Sequence, residues 1–329
     1  RQTRPPAEIV VVDASPDWQT GRDAVAALLA ASADPPPLRY LRSEIPSLTV
    51  QRNVGIAAAT AAVVFLIDDD SYMAEDCAAR IMAVYEADPE GAIAGVQAAL
   101  TPENPARGRA APEGKRDGSR GLRALLRAVG LRRLRRAVLG RFFLANHDAR
   151  FVPYDGRFHD RPAPAAPDLK AMRLFHGCRM TFRRAAVLRE PFDDALRFSC
   201  PYEDLDASYR VSRHGALVMA RDALLHHAEA AGARIDRRRA ALLSCLNLAF
   251  LLSRHAHDRA WAQRRYAAMM RRHLMAEAVK ELLLGRWRFP QLRGTLAAAR
   301  QAPALFEAAP AALRADYPAL QAGIVQGVI

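Results

Sequence analysis

The run from Gln51 to Ser71, Q-R-N-V-G-I-A-A-A-T-A-A-V-V-F-L-I-D-D-D-S, constrains this chain more than any other stretch. It reads as a helix ending in Ala-rich turns, then a strand that delivers three aspartates at its carboxyl end. Val63–Ile67 is five apolar residues in a row, too short for a membrane span and β-branched enough for a strand covered on both faces. Asp68, Asp69 and Asp70 follow where such a strand leaves the sheet, which is where open α/β sheets hold ligands. Three carboxylates at one point repel one another unless a cation holds them. A hard, oxygen-liganded divalent metal shared with substrate phosphates meets that need. The competing reading is a solvated loop with a helix cap, because Asp and Ser favour N-caps and the next helix starts near Ala74.

The flanking sequence alternates in the same way. Strands are expected at Ile9–Val12, Leu38–Leu41, Val63–Ile67 and Ala92–Gln97, with helices at Trp18–Ala31, Ser47–Ala61 and Ala74–Asp88 between them. Alternation at these lengths predicts a mostly parallel sheet covered by helices. From Thr101 to Asp168 the pattern breaks into Pro-, Gly- and Arg-rich sequence with one helical run. Sheet-like sequence resumes at Leu169–Leu174, followed by a helix near Glu203–His214 and short strands at Leu217–Ala220 and Ala223–Leu225. Beyond Arg237 everything reads helical. Four regions are expected: 1–100, 101–168 as a basic insertion, 169–235, and a helical C-terminal region over 236–329.

At 329 residues and 51% hydrophobic, the chain can bury one large core or two smaller ones. Its four cysteines lack C-x-x-C spacing, so neither a disulfide framework nor a zinc site is indicated. The net charge of +13 implies a polyanionic neighbour: phosphates, nucleic acid or an anionic membrane face.

Four blocks resemble the family 2 glycosyltransferases, enzymes of the GT-A fold that use nucleotide sugars. They are Val12-Asp13-Ala14-Ser15-Pro16-Asp17, Arg52-Asn53-Val54-Gly55-Ile56, Phe65-Leu66-Ile67-Asp68-Asp69-Asp70, and a late block. The late block runs through Gly177–Arg184, Pro191–Leu196 and Tyr202–Arg210 and contains the pair Glu203-Asp204. Each is weak alone; in this order over about two thirds of the chain they are specific.

The resemblance implies an inverting transfer from a UDP, GDP or dTDP sugar to a hydroxyl of a glycan or lipid-linked acceptor, assisted by Mn2+ or Mg2+. Asp70 is the first choice as metal ligand, with Asp68 turned toward ribose or metal and Asp69 beside them. Asp13 resembles the carboxylate that accepts a hydrogen bond from the base, although D-A-S-P-D would also suit a turn. Arg52 resembles a basic residue near the nucleotide, or is a solvated helix arginine. The acceptor hydroxyl must lose a proton as it attacks, and Asp204 occupies the place of the catalytic base, with Glu203 orienting the acceptor. Acidic residues at a helix start would equally complement the macrodipole. His226 and His227 follow a short strand, as a metal-binding histidine does in many relatives; His226 is the better candidate, and both could be structural. Gly177 suits a backbone passing close to the sugar, or an ordinary turn.

Gly121–Arg141 places Leu122, Leu125, Leu126, Val129, Leu134 and Val138 on one helical face, with arginines and no acid on the remainder. That suits an interfacial helix on an anionic membrane, or a helix packed on the domain. A cytoplasmic enzyme, peripheral on the inner membrane face and acting on an envelope glycan, is the implied setting. The alternative is a non-catalytic polyanion-binding protein on a degenerate transferase fold; basic strands interleaved with aromatics, as used to stack bases, are missing from the sequence. Family members begin with a strand and nucleotide-holding loop ahead of the strand matching Ile9–Val12. The chain is therefore expected to lack that central strand, which would lie between Ile9–Val12 and Val63–Ile67.

Overall fold

The chain is described by a computed structural model over residues 2–105, 150–164, 166–198, 200–228 and 235–328. The expected basic helix at 121–141 lies outside the described residues. Two compact units are built, one from residues within 1–108, 157–234 and 314–329, the other from residues within 109–156 and 235–313.

The first unit begins β1 (Ile9–Asp13), α1 (Trp18–Ala30), β2 (Leu38–Arg42), α2 (Leu48–Ala58) and β3 (Val63–Ile67). It continues through β4 (Ser71–Met73), α3 (Cys77–Glu86) and β5 (Ile93–Leu100), then β6 (Leu169–Met172) and β7 (Arg179–Arg183). Helices α4 (Arg184–Arg189) and α5 (Glu203–Val211) precede the long β8 (Ala216–His227). A six-stranded sheet has the order β3-β7-β5-β8-β4, with β6 also paired to β8. Strands β3, β5 and β8 run one way, and β4, β6 and β7 run against them. β1 and β2 form a parallel pair of their own. The architecture is α/β, with helices flanking the sheet and a helical C-terminal region.

Alternation along the strands feeds two apolar layers. Met180 and Phe182 of β7 join Phe175, Val187, Phe192 and Leu217 on one side. Ile93 and Val96 of β5 and Val218 and Leu225 of β8 pack with Cys77 and Ile81 of α3 on the other. Between β7 and β5 the buried Tyr85 hydroxyl lies 2.9 Å from Thr181 Oγ1 and accepts from Val96 N at 3.0 Å. Asp88, just past α3, accepts from the Ala92 and Ile93 amides and from Arg183, tying the helix end to both strands.

β4 and β7 were not expected, and β8 and β3 differ from the sequence reading. β8 is one strand where two were expected, because its register shifts between Ala220 and Leu224, and exposed Arg221 and Asp222 interrupt the apolar pattern. β3 is not covered on both faces: only Val64 is buried. Among the described residues β3 pairs with β7 alone, and its other edge faces a cavity of about 980 Å³. Val10 and Val12 of β1 line that cavity, as do Arg52, Gly55 and Ile56 of α2. β1 and β3 are thus separated strands flanking one opening.

In the second unit α6 (Arg237–His255), α7 (Arg259–Leu283) and α8 (Pro290–Glu307) pack together; α9 (Pro310–Gln326) starts in that unit, and its residues from Arg314 on belong to the first. α6 approaches α8 so closely that a Cβ on Gly294 would lie 2.1 Å from the Arg238 carbonyl oxygen. The Tyr266 hydroxyl of α7 donates to Cys245 O at 3.0 Å. Arg259 donates to the carbonyls of Phe306 and Ala308, satisfying acceptors that the end of α8 leaves open.

Candidate active site

β3 ends at Ile67 and a turn carries Asp68–Asp70, closed by the Ser71 amide donating to Asp68 O at 3.0 Å. The chain returns as β4 against β8, with Ser71 opposite His227 and Tyr72 opposite His226. Neighbouring residues of a strand point to opposite faces, so only one of the two imidazoles can reach the aspartates. It is His227, whose Nε2 lies 2.9 Å from Asp70 Oδ1. His226 instead donates from Nδ1 to Thr101 O at 3.2 Å and lies beside the Tyr72 ring. The structure therefore brings His227, and not the preferred His226, to the aspartates, because the pairing with β4, which the sequence did not reveal, sets the face.

Asp68, Asp70 and His227 each offer a ligand atom, all within 4.8 Å of one another. Asp69 is exposed at the same turn. Two carboxylates and an imidazole fit a divalent cation such as Mn2+ or Mg2+ that keeps further positions for water or phosphate oxygen. All three aspartates and His227 line the cavity between β1 and β3.

Arg52 connects this cluster to a second one. It is buried on α2, with Nη2 donating to Asp68 Oδ1 at 3.0 Å and Nη1 to Glu203 Oε2 at 2.7 Å. Its guanidinium also stacks 5.3 Å from the centre of the Phe192 ring. The adjacent Asn53 holds the same loop, donating to Phe192 O at 2.8 Å and accepting from Phe192 N at 2.9 Å. The Arg-Asn dipeptide thus joins carboxylates on one side and pins the P-F-D loop on the other.

Glu203 and Asp204 open α5 behind Tyr202, whose φ of 76° turns the chain sharply into the helix. Glu203 is buried, and burial pushes its carboxyl up to about 8, against the pull of Arg52. Asp204 is only half-buried, and its Oδ2 accepts from the Gly177 amide at 2.9 Å. A Cβ on Gly177 would meet Glu203 Oε1 at 3.3 Å and Asp204 Oδ2 at 3.8 Å. The backbone at Gly177 therefore passes directly over the carboxylate pair.

Asp13 lies at the end of β1. Tyr40, which the sequence did not single out, donates its hydroxyl to Asp13 Oδ2 at 2.7 Å, and Ser15 N donates to Oδ1 at 2.7 Å. These bonds hold the Asp13 carboxyl below its usual range and push the Tyr40 hydroxyl up to about 12. Asp68, Asp70, His227, Arg52, Glu203, Asp204 and Gly177 form one connected set; Asp13 is engaged with Tyr40 and Ser15 instead.

The model of the family described as Glycosyl transferase family 2 matches residues 1–143. The similarity to family 2 glycosyltransferases is carried by this stretch. A search of curated proteins finds no match. Among solved structures, GalNAc-T7 with UDP, GalNAc and Mn2+ is 13% identical over 79% of this chain, with a TM-score of 0.45. The chain spans 44% of that protein's length. S. aureus TarS 1–349 with UDP is 13% identical over 99% of this chain and 85% of its own, with a TM-score of 0.43. Likenesses of this depth leave the chemistry of the site to its own geometry.

Proposed function

We propose that this protein is an inverting glycosyltransferase, moving a sugar from a nucleoside diphosphate donor to a hydroxyl of a glycan or lipid-linked acceptor. The observation that carries this reading is the Arg52 link between a cation-binding cluster and a carboxylate pair at a helix start. Asp68, Asp70 and His227 hold a divalent cation, Mn2+ or Mg2+, which when bound neutralises charge growing on the leaving diphosphate. Asp204, accessible and hydrogen-bonded to Gly177, accepts the proton of the attacking hydroxyl. Glu203 is too enclosed for that task and orients the acceptor side through Arg52. Gly177 leaves the room for a sugar that a side chain would occupy. Asp13, kept ionised by Tyr40 and Ser15, accepts a hydrogen bond from the nucleotide base, and Asp69 faces the same opening. One displacement with one base inverts the anomeric carbon.

The charge of +13 supports work beside an anionic membrane, on the inner face, with an envelope glycan as product. The test is a panel of nucleotide sugars assayed for metal-dependent release of nucleoside diphosphate. Release from at least one donor, raised by acceptor and abolished by chelation, is expected. Absence of release from every donor under all metals would favour the non-catalytic polyanion-binding alternative.

A further inference from the structure

Helix α7 is apolar on two sides. Tyr266, Met269, Met270, His273 and Ala276 are buried. Met275, Val279, Leu282 and Leu283 are exposed, Leu283 to 76%, and at 3.6 residues per turn they fall within about 100° of arc. Leu284 and Trp287 extend this apolar surface past the helix end, Trp287 being 72% exposed. A run of large apolar side chains of this kind marks an interaction surface.

The exposed charges of α7 and the turn after it are of one sign. Between Arg259 and Arg300 the only acids in the sequence are Glu277 and Glu281, and both are buried. Glu277 is engaged by Arg150 and Lys280, while Glu281 accepts from the Gln291 and Leu292 amides. Arg271, Arg272, Lys280 and Arg288 are exposed. The surface therefore offers a solvent-facing apolar strip with an exposed tryptophan and a rim of cations. A second copy meeting this strip across a two-fold axis would bring those cations toward their own counterparts. An anionic lipid surface takes the leucines and indole between its acyl chains and pairs the cations with its headgroups.

We propose that the carboxyl-terminal half of α7 and the turn through Trp287 are a docking surface for an anionic bilayer. This deepens the membrane setting proposed above by assigning it to a defined surface, distinct from the segment 121–141.

The experiment uses the full chain with vesicles of phosphatidylcholine alone or mixed with phosphatidylglycerol. Wild-type protein is expected to co-sediment with the mixed vesicles, less so as salt rises, and brominated acyl chains should quench its tryptophan emission. The triple variant Leu282→Gln/Leu283→Gln/Trp287→Gln should bind about tenfold or more weakly, with its melting curve unchanged. If that variant does not fold, Trp287→Phe carries the test: binding is kept and acyl-chain quenching is lost. Wild-type protein that stays in solution overturns the proposal. So does a folded variant that binds normally, a quench that survives in Trp287→Phe, or a change in wild-type self-association caused by the triple variant. Nucleoside diphosphate release on a soluble acceptor is measured beside these; its loss in wild-type protein contradicts the transferase reading and leaves the lipid result standing.

Discussion

Arg52 stands between Asp68 and Glu203 with donor distances of 3.0 and 2.7 Å, so one buried guanidinium sets the position of both clusters. Asp204, the neighbour that reaches solvent, is the proposed proton acceptor. Asp204→Asn should keep nucleotide affinity and lose about a hundredfold to ten-thousandfold in transfer, as read by comparing nucleotide titrations with turnover. Loss of nucleotide affinity with turnover per bound donor intact would assign Asp204 to the donor instead. Glu203 gives a prediction about pH. Burial raises its pKa from the ordinary 4.5 to about 8, so the folded protein keeps a proton that the unfolded chain releases. The resulting stabilisation is complete below about pH 4.5 and is lost as pH rises through about 8. Thermal melts of Glu203→Gln, which cannot ionise, should therefore gain on wild type as pH is raised from 5 to 8 (about the range in which the two states differ). A constant difference across that range would show that Glu203 is ionised in the fold.

At the scale of elements, contacts between backbones matter most. Gly294 lets α8 lie against α6, where a Cβ would come 2.1 Å from Arg238 O and 3.1 Å from the Ala241 Cβ. Gly294→Ala must push the helices apart, and a loss of about 1–3 kcal/mol is expected in denaturant melts; an unchanged midpoint would mean the helices pack otherwise. The helices other than α4 and the strands β1, β2, β3 and β5 were legible because their apolar periods are unbroken. β4 was missed because three residues, Ser71–Met73, carry no period. β7 was missed because Arg179 and Arg183 bound it and Thr181 interrupts it, although Thr181 is buried and hydrogen-bonded to Val96 O. The site was legible as far as residue types in order allow: the aspartates, Glu203-Asp204 and Gly177 could all be named. The choice of His227, the Tyr40 contact to Asp13 and the burial of Arg52 depend on strand register and on residues over a hundred positions apart, as with Arg52 and Glu203.

For the whole molecule, no helix among the described residues is long and apolar enough to cross a membrane. The cavity of about 980 Å³ between β1 and β3, with Asp68, Asp69, Asp70 and His227 in its lining, is the proposed seat of the nucleotide and its cation. Occupancy of the two must then be coupled, and the coupling must run through Asp70. The direct measurement is calorimetric titration of UDP, GDP and dTDP into wild-type and Asp70→Asn protein, with and without Mn2+. One nucleotide is expected to bind wild type about tenfold or more tightly when Mn2+ is present, and Asp70→Asn, with an unchanged melting curve, is expected to lose that increment. Nucleotide binding indifferent to Mn2+, or an increment retained in Asp70→Asn, would contradict that coupling.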